Sequence, residues 1–419
     1  MSKTFWLSSV LTGSFLAKAL FILAQKTYLT VEPFEYEEAA QFLVHGEGFK
    51  NHFLNTTYYA PVHPFYPLLC SAVYLMKGDH LTVLFLQTVV STFLGFLVYQ
   101  LGRKLFSPTV GLLGCFLTLF HPALWVYTTL KLHSLIFDAS WFVVVLLSFL
   151  KWEESISAMR SFWTGLSGGL ACLSRSTLAP FLFFATGWGI WRWRKKASPV
   201  TLGVCGTLLL LTVFLTVTPW LVRNEKRIGH PIGVVSTGGL NLWLGNNPHA
   251  SGSAHLPDCR LVLNSMPTEM SQRLLSLTEW EQSEFLKEEA LRFMKDHPRR
   301  TILLFWKKWI AFWWQAPQTG IKYPPFWKKA YFVYYPFVLL LAALGMRQAP
   351  LFGTANVRAA SVLILVLFLI VSLTQSLFFV EGRHRWALEP ILLVFSAEEL
   401  CLIWGNLRNR CAGFAERSV

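Results

Sequence analysis

Long apolar runs separated by short polar segments set the pattern of this chain. Most of the runs contain 16 to 24 residues. A helix rises about 1.5 Å per residue, so about 20 residues cross a hydrocarbon core of about 30 Å. The pattern therefore predicts ten transmembrane helices. They lie near 5–24, 80–101, 109–127, 132–150, 161–174, 177–191, 199–219, 330–346, 359–379 and 387–405.

Basic residues concentrate in alternate loops between these runs. Short loops rich in Lys and Arg stay on the cytoplasmic side of a membrane. With ten crossings, all of the basic loops lie on one side of the membrane, and both termini are predicted to be cytoplasmic. The residues on that side are Lys3, Arg103, Lys104, Lys151, Arg160, Arg192, Arg194, Lys195, Lys196, Arg347, Arg358, Arg408 and Arg410.

One further apolar segment, TILLFWKKWIAFWW at 301–314, is short for a span. As a helix it would extend about 21 Å, with Lys307 and Lys308 at its centre. As an eleventh crossing it would move Arg347 and Arg358 to the outside. We therefore expect a helix in the membrane interface, where tryptophan rings and snorkelling lysines reach the headgroups.

Two polar regions, 27–79 and 220–328, lie on the side opposite the basic loops. They divide the chain into an N-terminal membrane module (1–219) that includes the first external loop, an external region with the interfacial helix (220–328), and C-terminal membrane helices (329–419). The predicted fold is an all-α polytopic membrane protein with a small external loop domain.

Composition agrees with this class and limits the partners. Hydrophobic residues make up 53% of the chain and charged residues 14%. This composition is more apolar than that of a typical soluble domain. A net charge of +14 could indicate nucleic acid, but no nucleic-acid-binding signature accompanies it. Membrane lipids are the predicted partner, and nucleic acid is not.

Acidic residues in the first external loop are the leading candidates for chemistry. Glu32 and Glu35 stand four residues and one residue before Tyr36, just after a predicted membrane exit. A carboxylate in this place could act as a general base on a lipid-linked substrate. The neighbouring Glu37 and Glu38 instead suit the first turn of a helix, where they complement its dipole.

Several motifs occur in a fixed order between the spans. An acid stands four residues before a tyrosine, as Glu32 does before Tyr36, and GEGF follows. A PxxPFYP-like segment at 61–67 and Gln87 within a span come next. The remaining motifs are GRKLFSPTVGLL, ACLSRSTL, TPWLVRN, STGGLNLWLGNN and GRHRWALEP. In these features the chain resembles the GT-C glycosyltransferases that use polyprenyl-phosphate sugars, such as protein O-mannosyltransferases and lipid A aminoarabinose transferases.

The resemblance implies a GT-C-type helix bundle and an inverting glycosyltransferase. In that family an acid of the first external loop deprotonates the acceptor hydroxyl, which then displaces a lipid phosphate. Glu32 occupies that position, but the usual residue is Asp, so Glu35 remains an alternative. The implied donor is a polyprenyl-phosphate sugar and the acceptor a lipid, glycan or protein. The implied location is the periplasmic or extracellular face of a bacterial inner membrane.

A departing phosphate requires cations or amide dipoles near the membrane surface. Arg223 in TPWLVRN, Arg383 and Arg385 in GRHRWALEP fit this need. Arg175 interrupts an apolar run and would cost about 3 kcal/mol if it faced lipid at mid-depth. We therefore expect Arg175 near the outer surface or in a cavity, as a further phosphate ligand.

The remaining predicted substrate contacts are aromatic, histidine and glycine-loop residues. His133 replaces the Glu that relatives often carry in a SETL-like segment, and His63 lies in YYAPVHP. The glycines and asparagines of 236–247 predict tight turns with backbone donors facing a ligand. No metal or other cofactor is predicted, although the histidines leave a divalent metal open. The substrate-contact set is Tyr36, Tyr59, His63, His133, Gly239 and Asn241.

A second function remains open at this stage. A carrier or flippase for lipid-linked sugars could use the same arginine-rich surface without breaking a bond. Transporters usually place charges at mid-membrane on broken helices, often in repeated halves. Because this chain concentrates its acids and glycines in outer loops, the pattern favours an enzyme.

Overall fold

The computed structural model consists mainly of helices. It describes residues 3–31, 34–258, 260–315, 323–352 and 354–416, with only the backbone for 348–352, 355 and 407–416. The first half of the chain forms α1 (Lys3–Gln25), α2 (Thr27–Thr30), α3 (Glu35–Val44), β1 (Asn51–Phe53), β2 (Thr56–Tyr58), α4 (Phe65–Leu75), α5 (His80–Leu105), α6 (Pro108–Leu119), α7 (Pro122–Thr129), α8 (Leu135–Glu154), α9 (Ala158–Ser174) and α10 (Ala179–Trp193).

The second half of the chain contains the longest helices. In order, the helices of this half are α11 (Pro199–Ile228), α12 (Gly238–Gly245), α13 (Thr268–Leu275), α14 (Glu279–Asp296), α15 (Pro298–Trp313), α16 (Pro325–Phe352), α17 (Ala355–Leu377), α18 (Gly382–Trp386) and α19 (Glu389–Glu416). The helices of the external region, α12 to α15, lie between α11 and α16.

Every predicted span has a helix, or a bent pair of helices, at its place in the chain. Six of these helices (α1, α5, α8, α11, α16 and α17) are long and apolar enough to cross a membrane, and the bent pair α6–α7 would make seven. The protein is thus a polytopic helical membrane protein, but the count of ten is not reached by this test. Helices α9 and α10 have only 17 and 15 residues, and α19 begins with Glu389 and carries further acids.

The span predicted at 109–127 is not one straight helix. Helices α6 and α7 meet at an angle of 54°, because Pro122 lacks an N–H and starts a new helix after the N-cap His121. The break frees the carbonyl of Leu119 inside the bundle. Lys18 of α1 donates to that carbonyl at 2.8 Å and to the Ser14 hydroxyl at 2.8 Å. A buried lysine therefore satisfies the end of the broken helix.

Helix α15 occupies the segment expected in the membrane interface. Its exposed face carries Ile302, Leu303 and Trp306, and Lys307 is exposed as expected. The expectation that Lys308 snorkels is wrong. Lys308 is fully buried and donates at 3.1 Å to the carbonyl of Gly245 at the C-terminus of α12. The partial negative charge of that helix end compensates its charge.

The two external regions form one packed unit. Strands β1 and β2 pair as a short antiparallel hairpin within the first external loop. Tyr58 of β2 donates from its hydroxyl to Gln282 of α14 at 2.6 Å. The following backbone amides, those of Tyr59 and Ala60, donate to the carboxylate of Glu279 at 2.7 and 3.0 Å. Ser236 donates its hydroxyl to the same carboxylate.

Glu279 thus joins three segments that are far apart in the sequence. Burial raises the pKa of its carboxyl, while hydrogen bonds from Ser236 and from the amides of Tyr59 and Ala60 act in the opposite direction. The group is 3% exposed, so water cannot replace a lost partner. We call Glu279, Ser236, Tyr59 and Ala60 the loop clamp.

We expect Glu279→Gln to destabilise the protein by about 1–3 kcal/mol, because the amide offers one acceptor oxygen where two backbone donors are buried. The measurement is thermal unfolding of the purified protein in detergent. The matched control is Glu288→Gln, since Glu288 is exposed on the same helix. Equal unfolding temperatures for both variants would show that the clamp does not contribute to stability.

Candidate functional site

A group of polar residues lies where α3, α8, α9 and α18 approach one another. We call it the polar junction. Helix α3 comes from the first external loop, α8 and α9 belong to the membrane bundle, and α18 connects α17 to α19. The junction comprises Glu35, Tyr36, His133, Ser134, Asp138, Ser174, Arg175 and Arg383.

Asp138, in the first turn of α8, holds the membrane side of the junction together. Its carboxylate pairs with Arg175 at 3.0 Å. It also accepts hydrogen bonds from Ser174 at 2.6 Å and Ser134 at 3.1 Å. Asp138 is 2% exposed, so these partners replace its hydration. Sequence reasoning missed this residue, although a lone carboxylate in the apolar run LIFDASWF was a usable signal.

Arg175 is largely covered by protein and is paired with a buried carboxylate. It follows α9 with extended backbone and precedes a short 3-10 turn at Ser176–Leu178. Its side chain is 14% exposed. The ion pair with Asp138 compensates its charge and fixes its position at the end of the helix.

Tyr36 joins the external loop to this ion pair. Its ring packs edge-on against Tyr66 and His133, with centroids 5.5 and 5.1 Å apart. Its hydroxyl lies 3.4 Å from that of Ser134, which lies 3.1 Å from the Asp138 carboxylate. Ser134 has one proton, so it donates to only one of these two partners at a time. Burial, followed by the charge of Glu35, raises the pKa of the Tyr36 phenol. The phenol therefore remains neutral near pH 7 and can donate a hydrogen bond.

Glu35 and Arg383 bring opposite charges to the junction. Glu35 is exposed at the first position of α3, and its backbone carbonyl accepts from Asn51 at 2.6 Å. Arg383 is 27% exposed and pairs with Glu381 at 3.2 Å. Burial alone would lower the pKa of Arg383, but nearby acidic groups, Glu381 first and Glu35 among the rest, raise it. Arg383 therefore stays charged within electrostatic range of Glu35.

The two predicted histidine contacts are neutral near pH 7. Burial lowers the pKa of His63 to about 3, and it lowers that of His133 well below its ordinary value. Their ring nitrogens accept backbone hydrogen bonds at 3.0 Å, His63 from Ser176 and His133 from Leu135. The positive charge of the junction therefore comes from its arginines and not from its histidines.

Arg223 does not enter the junction. TPWLVRN continues α11 rather than following it, because that helix extends through Pro219 to Ile228. The Arg223 guanidinium donates to the carbonyls of Tyr59 and Phe49 and stacks on Trp220 at 4.8 Å. These contacts favour a structural role for Arg223 and Tyr59, at the joint between the first loop and α11.

Arg385 is likewise held by the protein. Its side chain is 1% exposed and pairs with Glu389 at 2.7 Å. It also donates to the carbonyls of Phe312 and Trp314 at 2.6 and 3.0 Å and stacks on Tyr335 at 3.8 Å. A phosphate could reach this group only by displacing those partners, so the structure favours Arg383 over Arg385 as a ligand.

Gly239 and Asn241 lie on helix α12 and not in the turn predicted for 236–247. A Cβ on Gly239 would lie 1.8 Å from the carbonyl oxygen of Ser283, so this glycine permits the close approach of α12 to α14. Asn241 is half-buried on the same helix. Both residues belong to the external region and not to the polar junction.

Two predictions of the sequence analysis are not tested by this geometry. Glu32 lies outside the described residues. In the part of the chain that the structure describes, no three His, Cys, Asp or Glu side chains come together in a way that could hold a metal ion. The independence from metals stays a prediction.

The chain is similar to a known protein family and to solved structures. Residues 60–220 match the family described as dolichyl-phosphate-mannose-protein mannosyltransferase. The chain also superimposes on the apo oligosaccharyltransferase of Archaeoglobus fulgidus, with a TM-score of 0.56, 13% identity and 97% of this chain covered. The fold is that of the GT-C membrane glycosyltransferases. This confirms the resemblance found in the sequence.

Further solved GT-C structures agree. The archaeal oligosaccharyltransferase AglB of A. fulgidus, in complex with an inhibitory peptide and a dolichol-phosphate, matches with a TM-score of 0.53, 13% identity and 100% of this chain. The A. fulgidus enzyme tethered to an acceptor peptide matches with a TM-score of 0.53, 14% identity and 97% of this chain. The chain spans about half the length of these proteins, 50 to 52%. No curated protein matches it.

The family match covers only some of the candidate site residues. It includes His63, His133, Asp138 and Arg175. Glu35 and Arg383 lie on either side of it, and the fold brings them to the same junction. Their candidacy therefore rests on this structure and on the motifs around them.

We expect the folding stability of His63→Gln to fall less in acid than that of the native protein. The pKa of His63 is about 3 in the folded protein and 6.5 ordinarily, so below pH 6.5 the unfolded chain binds a proton that the folded chain does not. Stability then falls as the pH drops from about 6.5 towards 3, by up to about 1.4 kcal/mol per pH unit. Glutamine keeps an acceptor for the Ser176 amide but does not titrate.

Thermal unfolding between pH 7 and 4.5 provides the test. The difference in unfolding temperature between these pH values should be smaller for His63→Gln than for the native protein. His45→Gln, at an exposed position on the first loop, serves as control and should behave like the native protein. An unchanged acid dependence in His63→Gln would contradict the assignment.

Proposed function

We propose that this protein is an inverting glycosyltransferase that moves a sugar from a polyprenyl-phosphate donor to a lipid, glycan or protein acceptor. The observation that carries the proposal is that the polar junction holds an exposed carboxylate, Glu35, within electrostatic range of the charged Arg383. The GT-C fold and the partial match to a mannosyltransferase family support it, and they make a polyprenyl-phosphate mannose the first donor to test.

In the proposed reaction, Glu35 removes the proton from an acceptor hydroxyl. The acceptor oxygen attacks the anomeric carbon as the bond from that carbon to the phosphate oxygen breaks. The bonding electrons leave with the lipid phosphate, whose growing charge Arg383 and Arg175 stabilise. Glu32 is the alternative base, because the resemblance places it at the family's acidic position.

The side of the membrane follows from charge. Asp138 lies in the first turn of α8 and Lys151 in its last turn, so this 20-residue helix separates them by about 20 Å along its axis. Lys151 belongs to the basic loops that remain cytoplasmic. We therefore propose that the junction faces the periplasmic or extracellular side of a bacterial inner membrane.

Glu35→Gln should lower sugar transfer by about 10²- to 10⁴-fold if Glu35 is the base, while donor binding persists. Glu32→Gln, examined in parallel, distinguishes the two carboxylates. The measurement is release of radiolabelled sugar from polyprenyl-phosphate donors by the purified protein in bilayers. Glu47→Gln is the control, since Glu47 is exposed in the same loop and pairs only at the surface with Lys50.

The outcomes separate the two candidate functions. Loss of turnover in one of the two glutamine variants, with donor binding retained, identifies the base. Turnover that is unchanged in both would exclude this mechanism. Movement of the intact donor across the bilayer without cleavage would favour the carrier.

Arg383→Gln should lower kcat by about 10²- to 10³-fold, because the charge that stabilises the departing phosphate is removed. Arg383→Lys should recover part of the activity, since lysine keeps the charge but not the planar fork of donors. Steady-state transfer assays measure both. Arg292→Gln, at an exposed position of α14, is the matched control. Equal losses of activity in the Gln and Lys variants would indicate that Arg383 supports the structure rather than the leaving group.

A further inference from the structure

A concavity opens in the external region, lined by none of the residues of the polar junction. It has a volume of about 340 Å³ and lies between the segment 231–239, helix α14 and Phe378. We call it the external cleft. We propose that it binds a saccharide unit of the acceptor; this inference rests on the proposed function. Its volume lies at the small end of ligand sites, about 300–1,000 Å³.

The lining of the cleft has two chemically different parts. Leu242, Phe378 and the indole of Trp280 give an apolar surface. Trp280 stacks on His230 with centroids 3.8 Å apart and planes at 10°, which fixes the orientation of the indole before any ligand arrives. A rigid aromatic wall binds with a small loss of conformational entropy.

The polar part of the lining lies beside Trp280 on the same face of α14, at Ser283, Glu284 and Lys287. Glu284 and Lys287 form an ion pair of 2.7 Å at the rim, with side chains 36% and 46% exposed. Exposed pairs of this kind are weak, so both groups remain able to bind a ligand. The hydroxyl of Ser283 is also present. A pyranose presents an apolar C–H face and a ring of hydroxyls that both donate and accept, which matches this division.

The position of the cleft suits an acceptor. Ser236 in its wall donates to the carbonyl of Ala60, from its amide at 2.8 Å and from its hydroxyl at 3.0 Å. Three residues later His63 contacts Ser176, the neighbour of Arg175. Three extended residues span at most about 11 Å. An acceptor of a few sugar units could therefore extend from the cleft to the junction.

The glycines of the cleft allow a selective test. A Cβ on Gly233 would meet no atom within 4 Å, and this glycine lines the cleft. Gly233→Trp should therefore fill the cleft without backbone strain. Gly203 also has open space around its Cβ, but it lies on the membrane helix α11. Gly203→Trp is thus a matched control.

The experiment uses the full chain in lipid nanodiscs on an array of immobilised oligosaccharides and acceptor-type peptides. We expect the native protein and Gly203→Trp to bind a common set of saccharides. Gly233→Trp and Trp280→Ala should each lose at least tenfold in affinity for that set. Release of sugar from the donor by the native protein, measured in parallel, reports separately on the proposed function.

Each outcome decides the matter. Saccharide binding that is unchanged in Gly233→Trp would overturn the cleft assignment, and so would an array on which no saccharide binds. Peptide binding that Gly233→Trp abolishes would overturn it in favour of a peptide groove. Selective loss of saccharide binding supports the cleft even if no donor is cleaved, and donor cleavage without saccharide binding leaves only the proposed function standing.

Discussion

The ion pair between Asp138 and Arg175 is the contact on which the arrangement of the site depends. Both charges belong to the membrane bundle, where solvation by water is scarce and a partner must replace it. Removing one member of a buried pair typically costs about 3–5 kcal/mol, because the other charge remains buried. The pair fixes the start of α8 against the end of α9, and through Ser134 it reaches Tyr36 of the external loop. The geometry of the junction, and with it the proposed reaction, therefore depends on this pair, although Asp138 itself need not touch a substrate.

The same constraint distinguishes the basic residues that stabilise the fold from those available to a ligand. Lys18 donates to the last carbonyl of the broken helix α6, Lys308 to the C-terminal carbonyl of α12, and Arg385 to carbonyls at the end of α15. These three side chains are essentially inaccessible to solvent. Arg383 differs, because 27% of its side chain remains exposed. The phosphate of the proposed donor would therefore meet Arg383 without first displacing a carbonyl at the end of a helix.

Helix positions were predictable from the sequence because they depend on local patterns. The runs at 199–219 and 359–379 became α11 and α17, with α11 longer than its apolar part because the helix continues into the polar TPWLVRNEKRI segment. The contacts that build the site were not predictable in this way. Glu279 binds the amides of Tyr59 and Ala60, about 220 residues away, and nothing in the amphipathic pattern of α14 indicates that partner. Arg385 and Arg383 are two residues apart in one motif, yet the turn of α18 buries one and leaves the other accessible.

The segment from Tyr59 to His63 connects the external cleft to the polar junction. At its beginning, Glu279 and Ser236 of the external region bind the backbone of Tyr59 and Ala60. Arg223 of α11 donates to the Tyr59 carbonyl. At its end, His63 contacts Ser176, the neighbour of Arg175. Because these hydrogen bonds attach both ends of a short stretch, the external region cannot shift far relative to the junction without breaking buried contacts. A neutral His63 suits this connection, since its ring nitrogen must accept the Ser176 amide, and a protonated ring could not. The external region is thus held at a fixed distance from the carboxylate and the arginines that the proposed reaction uses.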